Sequence, residues 1–266
     1  MFHFYLKYVT VWPLMEQGIH AAIKAEQVYQ WMGIPITNTL LMSWIVIFVL
    51  AAIAFLIRAK LSLIPSKFQL VFELLAENIL SFIEDTLESK ELAKRYFPLL
   101  VTIFLFIFTG NLLEFIPGVG SIGYIVHGTT AGQAEFIPLL RSMNTDLNVT
   151  LALTIIVFLV IEISGIVVVG FFRYFSRFFN FHSVVGFFVG IIEFVSEFIR
   201  LISFSFRLFG NIFAGEVLLT VITFFVPFIV PVPFMAFEVF VGFMQATIFA
   251  LLTLFFLKLA ITEAEH

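Results

Sequence analysis

Five apolar stretches, each at least about 20 residues long, constrain this chain more than any other feature. A helix needs roughly that length to cross the ~30 Å hydrocarbon core of a bilayer. The stretches cover about 39–58, 97–116, 147–172, 187–226 and 234–258. Pro227, Pro231 and Pro233 separate the last two, because proline lacks an amide donor and clashes with the preceding turn. Of the 266 residues, 61% are hydrophobic and 12% charged, whereas soluble domains carry about 25% charged residues. A soluble enzyme is therefore excluded. The net charge of −4 implies no basic surface for nucleic acid. With no cysteine, disulfide scaffolds, thiolate metal sites and cysteine nucleophiles are excluded as well. The fold expected is an all-α polytopic membrane protein with five transmembrane helices, the last two forming a long helical hairpin. An external segment over 1–38 precedes the membrane domain of 39–266, and its aromatic start is not expected to be a cleaved signal peptide.

One further helix, over about 67–94, has a different pattern. Phe68, Val71, Phe72, Leu75, Ile79 and Phe82 share one face at ~100° per residue, with Glu73, Glu77, Glu84 and Glu88 opposite. Such a helix lies on the membrane surface or against a partner, and its acidic face suits a protein at least as well as anionic lipid. Lysine and arginine set the orientation. With the N-terminus outside, the cytoplasmic segments hold Arg58, Lys60, Lys67, Lys90, Lys94, Arg95, Arg173, Arg177 and Lys258, against Lys7, Lys24 and Arg141 outside. The glycine-rich outer loop over 117–146 is expected to be irregular. His3, His20, His127 and His182 are scattered and read as loop or interface residues, and Glu162 as either a helix–helix hydrogen-bonding residue or a lining residue.

The hairpin carries charges that apolar segments normally reject. Arg200, Arg207, Glu193, Glu197, Glu216 and Glu238 lie within or beside its apolar runs, where one charge at the bilayer centre costs about 2.5–3.5 kcal/mol even on the lenient insertion scale. Glu193, Ser196, Glu197, Arg200, Ser203, Arg207 and Asn211 fall on one helical face, a stripe ~27 Å long at 1.5 Å per residue. On the last helix Glu238, Gly242 and Gln245 share a face. Polar residues often only tie membrane helices together, but so much charge in one hairpin points to a proton or cation path. An arginine in that path never deprotonates, so Arg207 reads as a fixed positive barrier and the carboxylates as relays or water organisers.

At 205–218 the sequence reads SFRLFGNIFAGEVL, which resembles the signature of subunit a of the F-type ATP synthases, the stator subunit beside a rotating ring of c subunits. FVGFMQATIFALLTLFFL (240–257) is similar to that family's last helix, TGNLLEFIPG (109–118) to the end of its second crossing, and RSMNTDLNVTLAL (141–153) to the entry of its third, as in bacterial and chloroplast members.

The resemblance implies that the hairpin stands beside the ring, with Arg207 as the essential stator charge. It implies an outer half-channel with Asn211, Glu216, Glu238 and Gln245, and a cytoplasmic one with Glu193, Ser196, Arg200 and Ser203. Glu114 and Asp146 fall near the outer entrance. Glu238 stands where some bacterial members have histidine, so the relay there is a pair of carboxylates. Glu216, nine residues after Arg207, falls on the opposite helical face and can look toward Glu238 and Gln245, with Gly210 and Gly215 allowing that helix to approach. The expected partners are the c-ring, the b subunits of the peripheral stalk, the rest of the complex and the lipid of a bacterial inner membrane. Neither a cofactor nor a catalytic site for ATP is expected. A stand-alone secondary cation/proton transporter is the rival reading; it calls for paired halves and broken helices, and no internal repeat is evident.

Overall fold

Capping residues and glycines, more than the apolar runs, decide where the helices begin and end. The computed structural model describes residues 25–59, 61–62, 65–127, 134–176, 178 and 184–262; His3, His20 and His182 lie outside them. A hairpin of β1 (Gln27–Trp31) and β2 (Ile34–Thr37) leads into α1 (Asn38–Ala59). Then come α2 (Lys67–Leu87) and α3 (Lys90–Leu113). The outer loop carries β3 (Gly123–His127), β4 (Ala134–Pro138) and a 3-10 turn at Met143–Thr145. The chain finishes with α4 (Leu147–Val169), α5 (Phe171–Ser176), α6 (Val184–Phe225) and α7 (Pro231–Thr262). Among the described residues α1, α3, α4, α6 and α7 are long and apolar enough to cross a membrane. The fold is that of an all-α polytopic membrane protein with two small hairpins.

Several boundaries differ from those read off the sequence. The surface helix stops at Leu87, because Glu88 adopts a left-handed conformation (φ 55°) and Ser89 caps a new helix by accepting from the Leu92 amide. Lys90, Lys94 and Arg95 therefore belong to the second crossing. Gly170 (φ 95°) ends α4 three residues early. At the hairpin tip only Pro227 lies in the turn; Pro231 and Pro233 sit in the first turn of α7, where a missing amide breaks no helical bond. The outer loop is not wholly irregular: β3 and β4 pair antiparallel, from Gly123 opposite Pro138 to His127 opposite Ala134.

The core is a set of helical stripes in mutual contact. Tyr96, Leu100, Ile103 and Ile107 of α3 are buried with Ala246, Phe249, Leu254 and Leu257 of α7, Val157 and Ile161 of α4, and Phe204, Leu208 and Ile212 of α6. The runs on α3, α4 and α6 follow three- and four-residue steps, so one face of each of these helices meets the others. Phe243 stands edge-on to Phe104 and Phe108, with centroids 5.8 and 5.7 Å apart. α2 joins this core through Ile83 and Leu87. The apolar face read from the sequence is a different one: Val71, Phe72, Leu75, Ile79 and Phe82 are exposed. α6 has 42 residues and measures ~63 Å, about twice the hydrocarbon thickness. It must tilt steeply or project beyond the bilayer.

Candidate functional site

The polar stripe of α6 divides between two environments. Ser196, Ser203, Arg207 and Asn211 lie on an exposed face. Opposite them Phe204, Ser205, Leu208 and Ile212 are buried, and the Ser205 and Thr150 hydroxyls meet at 3.1 Å, joining α6 to α4. Arg207 makes no hydrogen bond or ion pair among the described residues, and its side chain lies exposed on their surface. Glu197 is not on the open face; it is 5% exposed and accepts two hydrogen bonds from Arg200 Nη1, at 3.0 and 2.9 Å. Arg200 leans inward over Phe256 of α7. Glu193 is half-buried one turn earlier.

A second charged cluster surrounds the far end of α6. Arg141, in the loop before α4, donates Nε to Glu216 Oε1 at 3.0 Å and Nη2 to Glu216 Oε2 at 2.9 Å. The charge of Glu216 acts on Glu114, just past α3, and on Glu238 of α7. Three carboxyl groups thus gather at this end of α6, with Glu216 held by the Arg141 guanidinium. The Glu238 carboxyl packs on the backbone of Gly215, where an added Cβ would lie 2.7 Å from its Cδ. Gly210 has no such neighbour within 4 Å, so only Gly215 serves the expected close approach. Glu216 does turn away from the exposed face, and its hydrogen-bonding partner is Arg141. Gln245, two turns from Glu238, is also buried.

Along α6, Arg207 lies between these clusters, ten residues from Glu197 and nine from Glu216. At 1.5 Å per residue it stands ~15 Å from one and ~14 Å from the other. A cation without a partner among the described residues therefore occupies an open helix face midway between two charged groups.

The wall of the Arg141 cluster is held by polar side chains. Asp146 caps α4 by accepting from the Asn148 amide at 2.9 Å, and its other oxygen accepts from the Thr39 hydroxyl at 2.8 Å. Asn144 donates to Asn111 Oδ1 at 2.6 Å, and Asn111 donates to the Gly242 carbonyl at 3.2 Å. Together these bonds tie the loop to α1, α3 and α7. Glu162 accepts a hydrogen bond from the Tyr174 hydroxyl at 2.9 Å, which places it with the helix-packing residues.

Arg141 was legible in the sequence only as an outside charge, and Gly215 only as a small residue. What could have flagged Arg141 is its place at the mouth of an apolar helix, opposite acids that need a counter-charge.

The family model described as "ATP synthase A chain" matches residues 40–258. A protein named ATP synthase subunit a from Sulfurihydrogenibium sp. (strain YO3AOP1) is 34% identical over 85% of this chain and 98% of its own length. The protein of that name from Campylobacter concisus (strain 13826) is 31% identical over 84% of this chain and 88% of its own. A third, from Moorella thermoacetica, is 31% identical over 87% and 94%. With its apolar helices, its polar hairpin and a match covering most of its length, the chain belongs to the ATP synthase subunit a family, the membrane-embedded, proton-translocating component of that complex.

Proposed function

We propose that this subunit passes protons to and from the carboxylates of a rotating c-ring through two offset aqueous half-channels, and that Arg207 keeps them apart. The observation that carries this reading is the open, unpaired Arg207 between two charged clusters. A carboxyl group that takes a proton from the outer side becomes neutral and can turn through lipid at little cost. When it reaches the second half-channel, a nearby guanidinium favours its ionised form, lowering a carboxylate pKa by about 1–3 units. The same guanidinium blocks a direct leak, since a proton cannot hop through a group that never releases its own. The driving force is ~2.3 kcal/mol per charge per 100 mV.

The outer half-channel runs by Glu216, Glu238, Gln245 and Asn211, with Glu114 at its entrance and Asp146 building its wall. The cytoplasmic one runs by Glu193, Ser196, Arg200 and Ser203. In this reading the subunit has no catalytic site for ATP, assembles with the c-ring and the b subunits of the stalk, and sits in a bacterial inner membrane with its N-terminus outside. The Arg207→Ala complex is expected to assemble and to lose ATP synthesis driven by a proton gradient. Synthesis surviving in that variant would refute the role of Arg207.

A further inference from the structure

Two of the carboxyl groups around Arg141 are held very differently. A bidentate guanidinium fork fixes both the position and the orientation of a carboxylate, and Glu216 sits in such a fork at 3.0 and 2.9 Å. The Arg141 side chain is 8% exposed and that of Glu216 28%, so the pair forms a wall with one wetted edge. Glu238 lies next to it, buried, with neither carboxyl oxygen hydrogen-bonded among the described residues. Its Cδ rests against the bare Cα of Gly215. Glu216 cannot turn without breaking two charge-assisted bonds, whereas Glu238 can.

We propose that Arg141 is the positioning residue of the outer proton path: it clamps Glu216 as a stationary carboxylate at the mouth and leaves Glu238 as the carboxyl that hands the proton inward. The inference rests on the proton-path reading above. In the transfer, the O–H bond of protonated Glu238 breaks, its proton goes to the accepting carboxylate beyond, and Glu238 is left an anion. A hydronium ion from the outer water then restores the O–H bond and departs as water.

The clamp predicts a particular failure pattern. Removing Arg141 alone frees Glu216 beside two other acids, and removing the Glu216 charge alone leaves an uncompensated guanidinium that repels protons from the mouth. Removing both charges does neither.

The test uses whole complexes in inverted membrane vesicles, with ATP-driven proton pumping normalised to the amount of assembled complex. Arg141→Gln and Glu216→Gln are each expected to slow pumping at least tenfold. Arg141→Lys keeps the charge without the fork and is expected to pump at least threefold faster than Arg141→Gln. The double variant Arg141→Gln/Glu216→Gln is expected to exceed either single variant at least fivefold. Glu238→Gln is expected to slow pumping at least tenfold in both the parent and the double background. A double variant as slow as Glu216→Gln alone overturns the proposal, since Glu216 would then be carrying the proton itself, and so does a Glu238→Gln complex that pumps like the parent. Arg207→Ala serves as the reference. If it abolishes gradient-driven synthesis while the double variant stays slow, only the clamp fails; if synthesis survives, the wider reading fails first.

Discussion

Arg200 and Phe256 are in face contact across the hairpin, the guanidinium carbon 4.2 Å from the ring centroid. The same arginine grips Glu197 one turn earlier on its own helix. Its planar cation is therefore held from both sides, between an aromatic face and a buried carboxylate. Arg207, two turns further along the same helix, has neither support among the described residues. Two arginines that look alike in the sequence occupy opposite situations.

That contrast gives a stability prediction. Arg200→Ala removes the guanidinium that donates to the buried Glu197 carboxylate, and breaking a buried pair costs about 3–5 kcal/mol. With Arg200 22% exposed, a loss of about 3 kcal/mol is expected. It should appear as a lower thermal-release temperature of the subunit from the purified complex. Arg200→Ala/Glu197→Gln should recover more than half of that loss. Arg207→Ala should leave the release temperature within about a degree of the parent.

Gly215 and Gly210 form a second contrast. Any side chain at Gly215 collides with the Glu238 carboxyl, and the relief is to displace that carboxyl, because the three atoms nearest the added Cβ all belong to the Glu238 side chain. Gly215→Ala is expected to slow ATP-driven pumping at least fivefold with assembly intact. Gly210→Ala meets nothing within 4 Å among the described residues. Any loss of pumping in that variant therefore measures the proximity of another subunit.

Much of the fold could be read in advance because length and hydropathy alone decide which segments can span a bilayer, and α1, α3, α4, α6 and α7 each contain such a run. Local chemistry moved the boundaries. A left-handed Glu88 followed by the Ser89 cap divides what periodicity joined, and side chains of that kind are common at positions where no helix ends. The site was legible as a set of residues but not as a set of pairings. Helical spacing placed Glu197 beside Arg207, yet Glu197 falls at the edge of that arc and turns into the core. Glu216 meets Arg141 from 75 residues away, and no periodicity within one helix could reveal that.

Glu88 also closes a long-range link. Lys258 Nζ lies 2.7 Å from Glu88 Oε1, joining the junction of α2 and α3 to the last turns of α7. The hydrogen bond from Lys258, followed by its charge, holds the Glu88 carboxyl below the usual carboxylate range. Because the shift is downward, the pair is present above the ordinary carboxylate pKa and is lost as pH falls through the lowered value. Exposed pairs are also screened by salt. Since the chain has no cysteine, Glu88→Cys/Lys258→Cys supplies its only thiols. A disulfide needs Cα atoms within about 7 Å, less than two long charged side chains can span. The thiols are therefore expected to be joined in membranes by a flexible bis-maleimide, and absence of that cross-link in assembled complexes would refute the contact.

Asp146 separates wall-building from proton handling. One of its oxygens caps α4 and the other takes the Thr39 hydroxyl, while its side chain is buried between the two helices. Losing an N-cap costs about 0.5–2 kcal/mol, and losing the Thr39 hydrogen bond, which leaves that hydroxyl with Thr37 alone, adds about 1 kcal/mol. Asp146→Ala is therefore expected to destabilise the subunit by about 2 kcal/mol and to lower the yield of assembled complex. Asp146→Asn keeps a capping oxygen, and its new amide can donate to the Thr39 hydroxyl in place of the bond that is reversed. It is expected to assemble at near-parent yield. Pumping per assembled complex should stay within twofold of the parent in both variants, because the cap holds the wall and not the proton. A tenfold drop per complex in Asp146→Asn, at full assembly, would instead put this carboxylate in the path.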